Sequence, residues 1–148
     1  MKIIAANKKA NYNYEINFKI NAGIILSGSE VKSLRNNSGS IKESYIQEKN
    51  GELWLSNCNI KKYFASNQTQ YIPSRDRKLL VSKKELNKII GAYKKDGYSI
   101  IPILLYFSEK GLVKLEIGIG KGKKKFDKRD SKKTKEWNIK KQRLLKNN

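Results

Sequence analysis

Apolar patterning in this 148-residue chain stops at Gly122, so any hydrophobic core must be assembled from the residues before it. Lysine dominates the remainder. Residues 121–148 carry 13 basic and three acidic side chains, which is +10 of the formal net charge of +20. Trp137, Leu144 and Leu145 form a stripe too thin to hold that segment helical against Lys132, Lys133, Lys135, Lys140, Lys141 and Lys146. The chain is therefore expected to divide into a folded unit over 1–120 and a basic tail over 121–148 that is disordered when free. A unit of that length buries enough surface to need no covalent staple. Cys58, the one cysteine, permits no internal disulfide and fits a reducing compartment. No apolar run approaches the roughly 20 residues of a membrane span. The N-terminus has no apolar leader segment, so the expectation is a cytoplasmic protein with no membrane partner.

Within the first 120 residues, Tyr14, Ile16, Phe18 and Ile20 alternate with Glu15, Asn17 and Lys19, the period of a half-buried strand. Gly23 permits a bend before Ile24-Ile25-Leu26. Ser27 and Glu30 have capping-box spacing for a short helix through Arg35 that buries Val31 and Leu34, stopped by Asn36-Asn37-Ser38-Gly39. Tyr45–Lys49 and Leu53–Leu55 flank Asn50-Gly51, a hairpin signature. Residues 61–77 are polar, include Pro73 and read as a surface loop. A second box, Ser82 to Glu85, opens a helix with Leu86, Ile89, Ile90 and Tyr93 on one face and Gly97 as its stop. Two more strands come next, Ser99–Phe107 and the alternating Val113, Leu115, Ile117, Ile119, with Gly111 in the turn. This is mostly β with helices: a small closed antiparallel barrel of OB type with two or three peripheral helices, or alternatively a split α+β sheet.

The residue inventory argues against an enzyme. With no histidine, the commonest general base and metal ligand is missing, and one cysteine cannot build a zinc site. No catalytic residue, metal or cofactor is expected; Asp127 and Asp130 lie among lysines and read as a solvated, salt-bridged segment. Gly118-Ile-Gly120-Lys-Gly122 fits no phosphate-loop spacing and reads as a strand end. Cations interleave with aromatics at Lys8-Lys9 before Tyr12 and Tyr14, at Lys61-Lys62-Tyr63-Phe64, and at Lys125-Phe126 before Lys128-Arg129. Charge of this size and placement selects a polyanion, and aromatics beside cations suit unpaired bases. Tyr14, sharing its face with Ile16, is expected in the core, whereas Phe126 has no apolar neighbours to pack with.

Three ordered stretches resemble the family of the tmRNA-binding small protein B: Asn7-Lys-Lys-Ala10 with Ala22-Gly-Ile-Ile-Leu-Ser-Gly-Ser-Glu-Val-Lys-Ser-Leu-Arg35; Arg75-Asp-Arg-Lys-Leu-Leu80; and Gly120-Lys-Gly-Lys-Lys-Lys-Phe-Asp-Lys-Arg129 with Glu136-Trp137. The resemblance implies an OB-like barrel that binds the tRNA-like part of tmRNA and delivers it to stalled ribosomes for trans-translation. It assigns tmRNA contact to Asn7, Lys8, Lys9, Asn21, Lys78 and Leu80. It assigns ribosome contact to Lys121, Lys123, Lys124, Phe126, Asp127, Lys128, Arg129 and Trp137, in a tail that becomes helical in the vacant mRNA channel of the small-subunit decoding region. Elongation factor Tu and alanyl-tRNA synthetase are implied partners through tmRNA, with the protein itself a monomer. Two departures stand out: Asn21 replaces a common Glu, and Phe126 replaces a frequent His. The rival readings are a basic ribosomal or assembly protein bound to rRNA and, more remotely, a nuclease using Asp127 and Asp130.

Overall fold

The computed structural model describes residues 1–123. Its elements run β1 (Lys2–Ala6), α1 (Ala10–Asn13), β2 (Tyr14–Ile24), α2 (Gly28–Arg35), β3 (Gly39–Ser40), β4 (Tyr45–Lys49), β5 (Glu52–Ser56), β6 (Asn59–Ile60), β7 (Arg77–Leu80), α3 (Lys83–Tyr93), β8 (Tyr98–Phe107) and β9 (Val113–Gly122).

The alternating strands form the spine. β2 pairs antiparallel with β9 from Tyr14↔Gly122 to Gly23↔Lys114, and β9 pairs with β8 from Tyr98↔Lys121 to Phe107↔Val113. Their inward residues, Ile20, Ala22, Ile100, Leu105, Leu115, Ile117 and Ile119, join Leu34, Leu53, Leu55, Leu79 and Ile89 in one core. A fully buried aliphatic side chain contributes about 1.5–3 kcal/mol relative to exposure. The Asn50-Gly51 hairpin forms as its chemistry demands, with φ of 52° and 76° at its two central residues. Both capping boxes are present, with Ser27 and Ser82 each accepting from the backbone N–H three residues on. Leu34 and Ile89 are their helices' fully buried apolar anchors; Val31 is half-buried.

Sequence periodicity missed β1, α1, β3 and β6, and β7 begins at Arg77 inside the stretch read as loop. Two-residue strands and a short edge strand carry too little alternation to register. The glycines of β9 also need revision, because the strand runs through them. A Cβ on Gly120 would stand 2.4 Å from the Glu15 carbonyl oxygen, and one on Gly118 would stand 2.6 Å from Ile103 Cδ1. Gly120 lets β9 press against β2 where the register slips between Ile16 and Phe18, and Gly118 makes room for Ile103 where β8 slips against β9.

The sheet does not close, contrary to the expected closed barrel. Its strand order is β1-β8-β9-β2-β7-β5-β4, and no pairing joins β4 to β1 among the described residues. β4 does approach β8, so the sheet curls. β1 pairs only with Leu104–Phe107, leaving the first half of β8 open on that side. There Pro102 has no N–H to offer. The carbonyls of Pro102 and Ile103 are already taken by Asn7, which donates from its side-chain amide (3.0 Å) and its backbone (2.8 Å). A closing strand finds this edge capped.

Candidate nucleic-acid interface

On β2 the side chains of Ile20 and Ala22 go to the core, so Asn21 and Gly23 face outward. On β7 the same alternation buries Arg77 and Leu79 and turns Lys78 and Leu80 out; Leu80 is 50% exposed against 3% for Leu79. Gly23 pairs with Leu80, and a Cβ there would lie 3.3 Å from Leu80 Cβ. The glycine thus gives the leucine room beside β2. Asn21 accepts from the Tyr106 hydroxyl through Oδ1 (2.9 Å), and Lys78 pairs with Glu52 (3.0 Å). Asn21, Lys78 and Leu80 therefore share one outer face: an apolar tip, an amide and a cation. Its chemistry suits a nucleic-acid backbone with an exposed base or sugar face.

Asn7, Lys8 and Lys9 lie elsewhere, with β8 and β9 intervening between β1 and β2. They line an open cavity of about 540 Å³ where the sheet fails to close, together with Tyr14, Lys42 and Tyr45. Tyr14 is thus a half-exposed wall residue of that cavity rather than core. Lys121 is exposed at the end of β9, its stem against Gly97, and the Lys123 N–H donates to the Asn13 carbonyl (2.9 Å). Lys124, Phe126, Asp127, Lys128, Arg129 and Trp137 lie outside the described residues.

Sequence reasoning did not foresee a buried ionic cluster beneath the 61–76 loop. Glu30, 1% exposed, pairs with Arg75 and with the fully buried Arg77 (2.6 Å). Arg77 also donates to the carbonyls of Cys58 (2.6 Å) and Pro73 (2.9 Å). The Tyr71 hydroxyl donates to the Ile60 carbonyl (2.7 Å) and stands 3.3 Å from Glu30 Oε2. Burial alone would raise the Glu30 carboxyl, but hydrogen bonds from Arg75, the Ser27 backbone and Arg77 hold it at about 2. The one available signal was Glu30's place in the capping box. Burial pushes the Cys58 thiol up to about 11, so it is protonated and poorly nucleophilic at neutral pH. Among the described residues no three acidic or cysteine groups cluster as metal ligands, and no helix is long and apolar enough to cross a membrane.

A family model described as SmpB protein matches residues 4–147. The chain belongs to the SmpB family. Relatives named SsrA-binding protein agree over nearly the whole length: that of Wolbachia pipientis from Culex pipiens is 49% identical, covering 100% of this chain and 99% of the relative. That of Afipia carboxidovorans is 47% identical over 98% of this chain and 92% of the relative. A solved chain described as "tmRNA-SmpB: a journey to the center of the bacterial ribosome" superposes with a TM-score of 0.65 at 38% identity, covering 81% of this chain and 84% of the other. This SmpB-family chain thus shares its overall fold with a solved relative, and Leu80 and Asn21 sit on the outer face of its own sheet.

Proposed function

We propose that the protein binds the tRNA-like part of tmRNA and carries it to stalled ribosomes for trans-translation. The observation that carries this reading is the exposed Leu80, set beside Gly23 and Asn21 while Leu79 fills the core. A half-exposed leucine on a sheet face flanked by an amide and a lysine lies outside the buried core, and it offers an apolar surface to a splayed nucleotide. Family membership and relatives named SsrA-binding protein support the same ligand.

We read the curled sheet as an open OB-like barrel and the action as binding without chemistry of its own. Asn7, Lys8 and Lys9 extend the RNA contact past the open edge of β8. The tail, with Lys121, Lys123, Lys124, Phe126, Asp127, Lys128, Arg129 and Trp137, occupies the vacant mRNA channel in the decoding region, where phosphates compensate its lysines. Elongation factor Tu and alanyl-tRNA synthetase meet the protein through tmRNA, in the cytoplasm. Sequencing the RNA that copurifies with the protein tests the reading: one small structured RNA with a tRNA-like end is expected. Ribosomal RNA retained through high-salt washing would point instead to a ribosomal or assembly protein.

A further inference from the structure

The second cation–aromatic cluster of the sequence lies apart from the face that carries Leu80; it is built by α2 and the loop after β6. Phe64 is 85% exposed, more than any other large apolar side chain described. It occupies the tip of a turn closed by the Ser66 N–H donating to the Tyr63 carbonyl (2.9 Å). The two rings lie 4.7 Å apart at 52°, and Lys32 Nζ stands 5.9 Å from the Tyr63 centroid. Lys32 and Arg35 share one face of α2, three residues apart, and Lys61 and Lys62 are exposed at the foot of the turn. The nearby carboxylate, Glu30, is already matched by two arginines.

The turn is also held in place. Ser33 Oγ donates to the Lys61 carbonyl (2.5 Å), the Lys61 N–H donates to the Ser38 carbonyl (3.3 Å), and the Glu30–Arg75–Arg77–Tyr71 cluster pins the far end of the loop. A bare phenyl ring on a fixed support costs surface hydration and adds nothing to the core. Such a ring, set among cations, fits the face of an unpaired base whose phosphates meet the lysines.

We propose that the Tyr63–Phe64 turn is a second RNA contact, a stacking platform for an unpaired base, with Lys32, Arg35, Lys61 and Lys62 receiving the flanking phosphates. It acts independently of the contact at Leu80. The test uses the full chain and a single-stranded RNA of about ten nucleotides carrying one 2-aminopurine, whose emission falls on stacking. Wild type quenches the probe, Phe64→Ala abolishes quenching and weakens binding about tenfold, and Phe64→Trp restores both. All variants keep the same tail, so its attraction cancels in the comparison. Melting temperature stays constant because the ring is outside the core. Replacing Lys61 and Lys62 with Ala lowers the salt slope by about 0.7 per lysine and leaves the quenching of bound probe intact. Leu80→Asp keeps the quenching. Undiminished quenching in Phe64→Ala, as expected if the ring serves a protein partner instead, would overturn the proposal. So would loss of quenching in Leu80→Asp, which would merge the two contacts into one.

Discussion

Leu79 and Leu80 are adjacent and chemically identical, and the sheet gives them opposite work. Leu79→Ala removes core volume and is expected to cost about 2–5 kcal/mol. Leu80→Asp is expected to leave the melting temperature within a few degrees of wild type while abolishing binding of tRNA-like RNA; a collapse in melting would return Leu80 to the core. Period two sets neighbouring strand residues on opposite faces, but that Leu80 is the outward one was implied only by the family resemblance. The role of Arg77 was not legible, because arginine is rarely buried and its partner Glu30 is 47 residues away in sequence. That pair carries a pH signature. Glu30 titrates near 2 when folded against an ordinary 4.5, so its stabilisation is full above 4.5 and is lost as pH falls toward 2. The loss amounts to about 3 kcal/mol. Acid melts should show wild type losing stability through that window. Glu30→Gln, already weakened at neutral pH by the unpaired Arg77, should lose little more, so the two curves converge.

At the level of elements, α2 and α3 start where their capping boxes say, since the signal is local and needs no tertiary partner. Strands β2 and β9 were legible through alternation long enough to stand out, and β8 through its near-continuous apolar run. β3 and β6 were not, because two residues cannot show a period. The glycines of β9 were visible but misread: their need arises from register slips in β2 and β8, which only the pairing reveals. Gly120→Ala is expected to destabilise by about 1–3 kcal/mol, since the new methyl meets backbone that cannot move aside. Gly122→Ala, whose nearest contact is the Tyr14 ring at 4.0 Å, should be nearly neutral. Thermal denaturation of the two variants side by side decides it.

For the whole molecule, the boundary expected from sequence between the core unit and the basic tail falls inside β9. β9 pairs through Gly122 with Tyr14, two residues beyond the boundary drawn from sequence. A truncation that probes the tail must therefore end after Lys123. That variant is expected to melt like wild type and to keep shape-selective RNA binding, weakened by the lost long-range attraction. It should fail in a reconstituted tagging assay on stalled ribosomes; full tagging by the truncated protein would separate the tail from channel occupancy. The antiparallel class and single core were legible because hydrophobic period and composition fix them. Closure was not, because it depends on Asn7 reaching across to Pro102 and Ile103, nearly a hundred residues away.

The central place of β9 also governs how this protein comes into being. β2 finds its main partner only at residues 113–122, and β8 is joined to β2 only through that strand. A nascent chain growing at about 5–20 residues per second therefore waits several seconds between making β2 and being able to complete its sheet. In that interval only the two capped helices and the Asn50-Gly51 hairpin can form from local contacts. A copy broken off between Phe107 and Val113 has no middle strand and leaves β8 and β2 each with an unpaired edge, so it is expected to be cleared by proteolysis rather than to compete.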